Sequence, residues 1–425
     1  MNKSIKISFA VIFFICTLIK ADKTINIKNT THKKLKLTMQ EVVKMAHKNR
    51  PSLKAYKFAT QASKQDEKKA ISGYFPQVTL NEQPFFQNGL KGLQNSISLQ
   101  TNQLVYSFAG PIQQYKIAKK ITESSKYQEE THKDLVRYQV EVAFLQSWLL
   151  QRKNKYIEFL EKSSNQDINK SEHENKLNLL DKNDWLNDAA TYSQNMYTVY
   201  SYSDQLYDAK NQLEYYIGKP FKSETSTIIL TWDSAKQISL KQLEYYYQKA
   251  INNRKEIKQK QKEVEQYMEY QSFYKKTYLP SLSISGKSGR TSGIKNNSIG
   301  AVFTWNMLDG GANYHESNKA NANKLKAIME KENYVQQAKF DVQKSYYELA
   351  TLLKQLVSQS VRLRQAENEF VLKKQEFNIG TISKVDLESA KYNWESQKFN
   401  WITSKINTSI KQRELYYSCG YPQDF

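Results

Sequence analysis

The stretch SIGAVFTWNMLDGG, residues 298–311, decides the fold of this chain. Apolar and polar residues alternate in its first part, and this period of two predicts a β-strand that reaches Met307. Its last part turns at Asp309-Gly310-Gly311. From Ala312 to Cys419 there is then no proline and only one glycine, Gly380. A run so poor in helix breakers predicts long helices, and its length implies a helical hairpin.

The same order of patterns occurs in the first half of the chain, at an offset of 200–204 residues. The matched pairs are Arg50 with Arg254, Pro76 with Pro280, Gly110 with Gly310, Asp184 with Asp386, and Gly218 with Gly420. Between Ile112 and Ile217 there is again neither glycine nor proline. Two copies of one fold unit are therefore predicted to fill nearly the whole chain.

These patterns predict two repeats, residues 37–220 and 239–425, joined by a linker at 221–238. Each repeat contains a helix, a β-hairpin and a long helical hairpin. The β-hairpins are expected at about 76–108 and 280–308, and the tips of the helical hairpins near 178–184 and 380–386. Residues 1–21 are interpreted as a secretory signal, because Lys3 and Lys6 precede a short apolar run. Residues 22–36 are an N-terminal extension.

Apolar residues recur at steps of three and four along both long helical runs, which predicts one packing seam on each. They are Val136, Val140, Ala143, Phe144 and Trp148 in the first, and Phe340, Val342, Ser345, Tyr346, Leu349, Leu353 and Leu356 in the second. Thr38 and Glu41 predict a capping box at the start of the first short helix, and Pro51 is expected to interrupt that helix. Ser239 to Glu269 is predicted as its helical counterpart in the second repeat.

The β-hairpins are predicted to turn at Gln87–Asn95 and at Gly286–Asn297. In the first hairpin Ile97 and Leu99 have one parity, whereas Leu104, Tyr106 and Phe108 have the other. This change indicates either a β-bulge or a wrong register. Four strands cannot close a barrel, and an open sheet edge is costly in hydrocarbon. The strands are therefore expected to be completed by other subunits, as eight in a dimer or twelve in a trimer.

Composition excludes several classes of function. The net charge of +21 permits nucleic-acid binding, but lysine is scattered along the chain rather than gathered in a stripe. The two cysteines are Cys16, inside the predicted signal, and Cys419, so no disulfide is expected in the mature chain. Lipid acylation at Cys16 is disfavoured by the bulky Ile15 before it. The five histidines have no metal spacing, and no nucleotide or nucleophile motif occurs. We therefore expect no enzyme, no cofactor and no metal.

The order of elements behind a signal resembles the TolC family of outer-membrane efflux and export channels. The resemblance extends from Leu37 to Pro422. Its more specific marks are Tyr278-Leu279-Pro280 before a strand, Trp305 to Gly311 after the second hairpin, and Gly380-Thr381 followed by Asp386 and Ala390. What the resemblance implies is a mixed but mostly α fold: a homotrimer in which long helical hairpins form an α-barrel tunnel. A twelve-stranded transmembrane β-barrel, with four strands from each chain, continues that tunnel through the outer membrane.

The resemblance also implies partners and a gate. The partners are a periplasmic adaptor and an inner-membrane transporter, and the function is a passive exit duct for efflux or type I secretion. The candidate tip and gate residues are Asp386, Glu388, Gly380, Thr381, Asp184 and Asn178. A second acidic ring of the family falls on Ser389, with Glu388 as the nearest substitute. The latch positions of the family hold Phe377 and Ile382, which do not form a hydrogen-bonded latch.

Two other interpretations use the same residues. Asp184 and Asp386 are also suited to be helix N-caps, a role compatible with a gate. An exported coiled-coil scaffold or adhesin would use the long helices and treat the hairpins as loops. Two equally placed hairpins of membrane length favour the channel over the scaffold.

Overall fold

A computed structural model describes residues 35–86, 94–220, 228–232, 240–291 and 294–421. The predicted signal, nearly all of the N-terminal extension and the turn of the first hairpin lie outside these residues. The chain divides into a small unit, Met1–Lys36 with Lys222–Ile229, and a large unit, Leu37–Phe221 with Leu230–Phe425. In the small unit only residues 35–36 and 228–229 are described. The candidate site lies in the large unit.

The helices of the first repeat begin and end at capping or breaking residues. α1 is Met39–Asn49, α2 Pro51–Ser72, α3 Pro111–Lys176 and α4 Lys182–Ile217. The predicted capping box is confirmed, since Glu41 N donates to Thr38 Oγ1 at 3.4 Å and Thr38 N to Glu41 Oε2 at 2.8 Å. The break at Pro51 is confirmed as well, because α1 ends two residues before it.

The second repeat has the same helices: α5 Leu243–Asn253, α6 Lys255–Lys276, α7 Ala312–Asn378 and α8 Lys384–Ser418. The predicted helical stretch Ser239–Glu269 is wrong as one element, because it divides at Arg254, which is extended at φ −59°, ψ 123°. No proline causes this break. Instead Gly420, at φ +72°, approaches so closely that a Cβ there would lie 2.8 Å from Arg254 N. Gly218 approaches Arg50 in the same way in the first repeat.

The helices of the large unit pack in two rows that share α3 and α7. One row is α2, α3, α6 and α7, and the other is α4, α3, α8 and α7. The predicted seams are largely confirmed, with Val136, Val140, Phe144, Val342 and Leu349 all fully buried. Phe340 is the exception, because 60% of its side chain is exposed and it does not join the seam. α3 has 66 residues and α7 has 67, which corresponds to about 100 Å each.

The strands are β1 (Leu35–Thr38), β2 (Gln77–Phe85), β3 (Gln94–Ser107), β4 (Ile228–Thr231), β5 (Ser281–Thr291) and β6 (Ile294–Thr304). β1 and β4 form a two-stranded sheet, in which Thr231 Oγ1 donates to Leu37 O at 3.3 Å. Neither strand was predicted, and β4 falls in the expected linker. The other four form an antiparallel sheet in the order β2-β3-β5-β6.

The second hairpin differs from its prediction at both ends. The turn predicted at Gly286–Asn297 is wrong, because β5 continues to Thr291 and β6 starts at Ile294. The expected strand through Met307 is wrong too, since β6 ends at Thr304. Gly and Asn suggested a turn, but the antiparallel ladder pairs Gly286 with Ile299 and Ser288 with Asn297 and so overrides their local preference.

Candidate transport pathway: a two-faced sheet and two helical tips

One face of the four-stranded sheet is mainly apolar, although it also carries polar residues such as Thr101, Gln103 and Ser288 and the charged residues Glu82, Arg290 and Lys295. Residues that are direct cross-strand partners lie on the same face, so the register assigns each side chain to a face. The pairs Leu80 with Leu99 and Ile284 with Ala301 belong to this face. Its apolar members are Val78, Leu80, Ile97, Leu99, Tyr106, Leu282, Ile284, Ile299, Ala301 and Phe303. Nearly all of them are solvent-exposed in one chain, and Ile299 reaches 84%.

The opposite face is polar. Thr79 pairs with Gln100, and Ser285 pairs with both Asn102 and Gly300. The polar members are Gln77, Thr79, Asn81, Gln83, Ser96, Ser98, Gln100, Asn102, Ser281, Ser283, Ser285, Lys287, Asn296, Ser298 and Thr304. Only a few apolar side chains, such as Leu104 and Val302, interrupt this face. The sheet thus presents one side suited to hydrocarbon and one suited to water.

A β-bulge in β3 makes the apolar face continuous. The register of β3 against β5 shifts between Leu104, which pairs with Ser283, and Tyr106, which pairs with Leu282. Val105 is the extra residue, and it moves Tyr106 onto the face of Ile97 and Leu99. The bulge alternative left open by the parity change is therefore confirmed.

The two outer strands of this sheet each have one unpaired edge. Within the described residues β2 pairs only with β3, and β6 pairs only with β5. Backbone N–H and C=O groups on an open edge need other partners wherever water is excluded. One chain therefore presents a sheet segment that requires further strands on both sides.

The passage from β6 to α7 explains the WNMLDGG stretch. Trp305 Nε1 donates to Tyr278 O at 3.0 Å, which holds the end of β6 beside the start of β5. The Asp309 carboxylate accepts from Gly311 N at 3.0 Å and from Asn313 N at 2.9 Å, so it satisfies free N–H groups at the start of α7. Gly310 and Gly311 have φ of +65° and +84°, a conformation that glycine adopts without strain.

Both helical hairpins turn at the predicted tips. Asn178 has φ +55° and Gly380 has φ +78°, so both residues adopt the left-handed conformation within the predicted tip ranges. Leu179 N donates to Glu174 O at 2.9 Å, and Thr381 N donates to Glu376 O at 3.0 Å. This pattern satisfies the last carbonyls of α3 and α7 in the same way. Thr381 Oγ1 also donates to Glu376 O, at 2.8 Å.

Asp386 lies at the third position of α8 and belongs to a capping box. The N-cap is Ser383, so the prediction that Asp386 is itself an N-cap is wrong. Asp386 Oδ2 accepts from Ser383 Oγ at 2.7 Å and from Ser383 N at 3.1 Å. These hydrogen bonds hold the pKa of the Asp386 carboxyl below its usual value. The exposed carboxylate therefore keeps its negative charge in mildly acidic solution.

Asp184 and Glu388 differ from Asp386 in their surroundings. Asp184 is the third residue of α4, whose N-cap is Asp181, so the N-cap prediction is wrong for Asp184 too. Glu388 lies 3.9 Å from Lys384 Nζ on the same helix. Burial raises the pKa of Asp167 on α3, and the charge of Glu388 raises it further.

Exposed apolar side chains occur on the helices at the ends of the two rows. α7 carries Leu325, Met329, Phe340, Val357 and Val361, and α4 carries Tyr197, Tyr200 and Tyr207. Helices at the ends of a row have one side without a neighbour in the chain, as the edge strands do. Among the helices that the structure describes, none has the length and apolar character needed to cross a membrane. The described residues also contain no group of three His, Cys, Asp or Glu that could hold a metal ion.

Residues 246–420 match the family model described as "Outer membrane efflux protein". The match starts in α5 and ends just after α8, so it includes β5, β6 and the second tip. No curated protein matches the chain.

The fold of this chain is similar to solved outer-membrane channels over both repeats. The CmeC outer membrane channel of Campylobacter jejuni has a TM-score of 0.73 at 15% identity, covering 90% of this chain and 85% of that chain. The open state of the Neisseria gonorrhoeae MtrE outer membrane channel gives 0.70 at 13% identity, with 90% and 88% covered. The Vibrio cholerae outer membrane protein VceC gives 0.69 at 12%, with 90% and 97% covered. The resemblance to the TolC family is confirmed.

Sequence reasoning missed the polar face of the sheet as a set of functional residues. It assigned roles to the helical tips and treated strand residues only as alternating patterns. One signal in the sequence could have identified this face: polar Gln77, Thr79 and Asn81 alternate with apolar Val78 and Leu80. The register between the two hairpins, which joins β3 to β5, was not available from either repeat alone.

Proposed function

We propose that this chain forms the outer-membrane channel of a tripartite efflux or type I secretion system. It acts as a passive exit duct that connects a periplasmic adaptor and an inner-membrane pump to the exterior. The observation that carries the proposal is the four-stranded sheet with one polar face, one apolar face and two open edges. Nothing in this arrangement performs a reaction, so the proposed role is passage and not catalysis.

The open edges call for further chains, and the assembly that we propose is the homotrimer that the resemblance implies. Three sheets joined through β2 of one chain and β6 of the next give twelve strands with every edge paired. In the closed sheet the apolar face meets lipid and the polar face lines the passage. The same operation brings α7 of one chain beside α2 and α4 of the next, which would cover the exposed apolar side chains on α7 and α4.

The rival function, an exported scaffold or adhesin, has no use for such a sheet. A scaffold gains from the long helices, but ten apolar side chains on one exposed sheet face would promote aggregation in water. In a bilayer the same face is stabilised. The two-faced sheet therefore favours the channel.

The tips are the proposed periplasmic gate. Three copies of Asp386 near one axis would place three carboxylates around the entrance. Gly380 and Thr381 fix the turn before Asp386, and Asn178 fixes the turn before Asp184. Asp184 and Glu388 belong to the same region. Phe377 and Ile382 make no latch of hydrogen bonds in the structure described, so carboxylate repulsion is the proposed control on passage.

A matched pair of substitutions in β2 tests the two faces. Leu80 lies on the apolar face and Thr79 beside it on the polar face. Arginine facing lipid near the membrane midplane costs about 2–4 kcal/mol, whereas arginine facing the lumen remains hydrated. We expect Leu80→Arg to reduce outer-membrane insertion strongly and Thr79→Arg to insert normally.

The measurement is the amount of heat-resistant trimer in outer-membrane fractions, followed by conductance of purified protein in planar bilayers. The mass of the detergent-solubilised native protein should be that of three chains. A monomer of stable mass, or equal insertion of the Leu80→Arg and Thr79→Arg variants, contradicts the proposal.

A further inference from the structure

Lys287 is the one charged residue that the described strands place on the polar face. Its cross-strand partners are Gln100 on β3 and Ser298 on β6, which are both uncharged. The other charged residues that the structure describes in the four-stranded sheet are Glu82, Arg290 and Lys295, and all three fall on the opposite face. They lie in one row, since Ile97 pairs with Glu82 and Arg290, and Arg290 pairs with Lys295.

No carboxylate among the described strand residues shares the polar face with Lys287. The neighbouring rung toward the helices pairs Ser285 with Asn102 and Gly300, and the rung beyond Lys287 includes Gly289 and Asn296. Lys287 is itself exposed. Its positive charge is therefore not compensated on this face of the sheet.

Resting on the proposed function, we propose that Lys287 makes the membrane part of the passage selective for anions, so that anionic solutes are the class that this ring attracts. In a trimer three Lys287 ammonium groups form one ring among amide and hydroxyl side chains. Rings of charged side chains in a pore set its ion preference. The ring lies six residues beyond Ser281, about 20 Å along β5 from the helices.

This ring is opposite in sign to the carboxylates proposed for the gate. The Asp386 carboxylates lie at the far end of long helices that lead away from the sheet, about 100 Å from it along α7. Over that distance salt screens any interaction between the two sets of charges. Each ring therefore acts on solutes independently, and a change at Lys287 is measured against an unchanged tip.

The size of the effect follows from three charges at about 10 Å from the pore axis. With water as the medium and a screening length of about 10 Å, the ring should change the ratio of chloride to potassium permeability by about 2- to 5-fold. Replacing the ammonium by a neutral amide of similar length should remove that factor.

The test is the reversal potential of single channels in a KCl gradient. Lys287→Gln should lower the ratio of chloride to potassium permeability by about 2- to 5-fold, and Lys287→Glu should lower it further. Lys295→Gln is the matched control, because it removes the same charge from the opposite face of the neighbouring strand. It should leave the ratio unchanged. A Lys287→Gln channel with the ratio of the unchanged protein overturns the inference.

The face assignment is tested separately from conduction. A cysteine at position 287, introduced as Lys287→Cys in proteoliposomes, should react with a water-soluble maleimide, and Ile299→Cys should not. The reverse labelling pattern overturns the inference even if the channel conducts. Labelling as expected without conductance by the unchanged protein would overturn the proposed function, and the inference with it.

Discussion

Gly420 is the glycine at which the addition of one methyl group should lower the free energy of unfolding most. Its φ of +72° disfavours any L side chain, and a Cβ there would lie 2.8 Å from both Arg254 N and Asn253 C. Both neighbours are backbone atoms at the break between α5 and α6, so neither can move aside as a flexible side chain does. Gly420→Ala should therefore strain the junction of α5, α6 and α8.

The magnitude has two parts. The left-handed conformation costs a non-glycine residue about 1–2 kcal/mol. Forcing an extra carbon into a filled site adds about 1–3 kcal/mol. Gly380→Ala separates the two, because Gly380 has φ +78° but no heavy atom within 4 Å of its Cβ position. We expect a loss in the free energy of unfolding of about 2–5 kcal/mol for Gly420→Ala and about 1–2 kcal/mol for Gly380→Ala.

The assay is thermal unfolding of the detergent-solubilised protein, followed by circular dichroism. An unfolding entropy of about 2.1 cal/mol/K per residue makes each kcal/mol equivalent to about 1 °C in a chain of 425 residues. Gly420→Ala should thus lower Tm by about 2–5 °C, and Gly380→Ala by about 1–2 °C. Gly286→Ala, with nothing near its Cβ position, is the control with no strain. Equal Tm values for Gly420→Ala and Gly380→Ala would refute the role of close packing at Arg254.

Three further outcomes are expected. Asp386→Asn should reduce cation selectivity at the tip and weaken block by multivalent cations in single-channel recordings; if only Glu388→Gln changes these properties, the gate lies two residues away. The block by multivalent cations should be lost at low pH, when Asp386 is protonated. Because Ser383 holds the pKa of Asp386 low, Ser383→Ala should shift this loss to higher pH. Burial raises the pKa of Asp134 to about 6, above its unfolded value of 3.8, so folded stability falls as pH rises through that interval. Asp134→Asn should therefore raise the free energy of unfolding at pH 7.5 by about 1 kcal/mol, after allowance for solvent screening, and so raise Tm at that pH. At pH 4 it should leave Tm unchanged.

The predicted elements were most accurate where local physics acts alone. The breaker-free runs gave helices because nothing in them interrupts the ladder of backbone hydrogen bonds. Asn178 and Gly380 were identified as turns because few residues tolerate a left-handed backbone. Asp184 and Asp386 were placed at the correct ends of their helices. Both were assigned to the N-cap position, whereas each is the third residue of its helix. The two caps differ in their contacts, and those depend on how Ser383 and Asp181 are oriented.

The candidate pathway was predictable only in part. The tips, the hairpins and the parity of their strands were present in the residue pattern. The pairing of β3 with β5 was not, because it joins residues nearly 200 positions apart, as Ser96 and Thr291 do. That pairing joins the polar faces of the two hairpins into one surface, on which Lys287 is the one charged residue among the described strand residues.

What the sequence by itself determined is the repeat, the long helices, their tips and the existence of four short strands. Each rests on interactions between residues close in the chain: backbone propensity, capping and alternation. The tertiary structure alone decided the break at Arg254, the choice of a bulge at Val105 over a wrong register, and the lengths of β5 and β6. These depend on a backbone approaching from Gly420 or on a ladder formed with a distant strand, and no local preference contains that information.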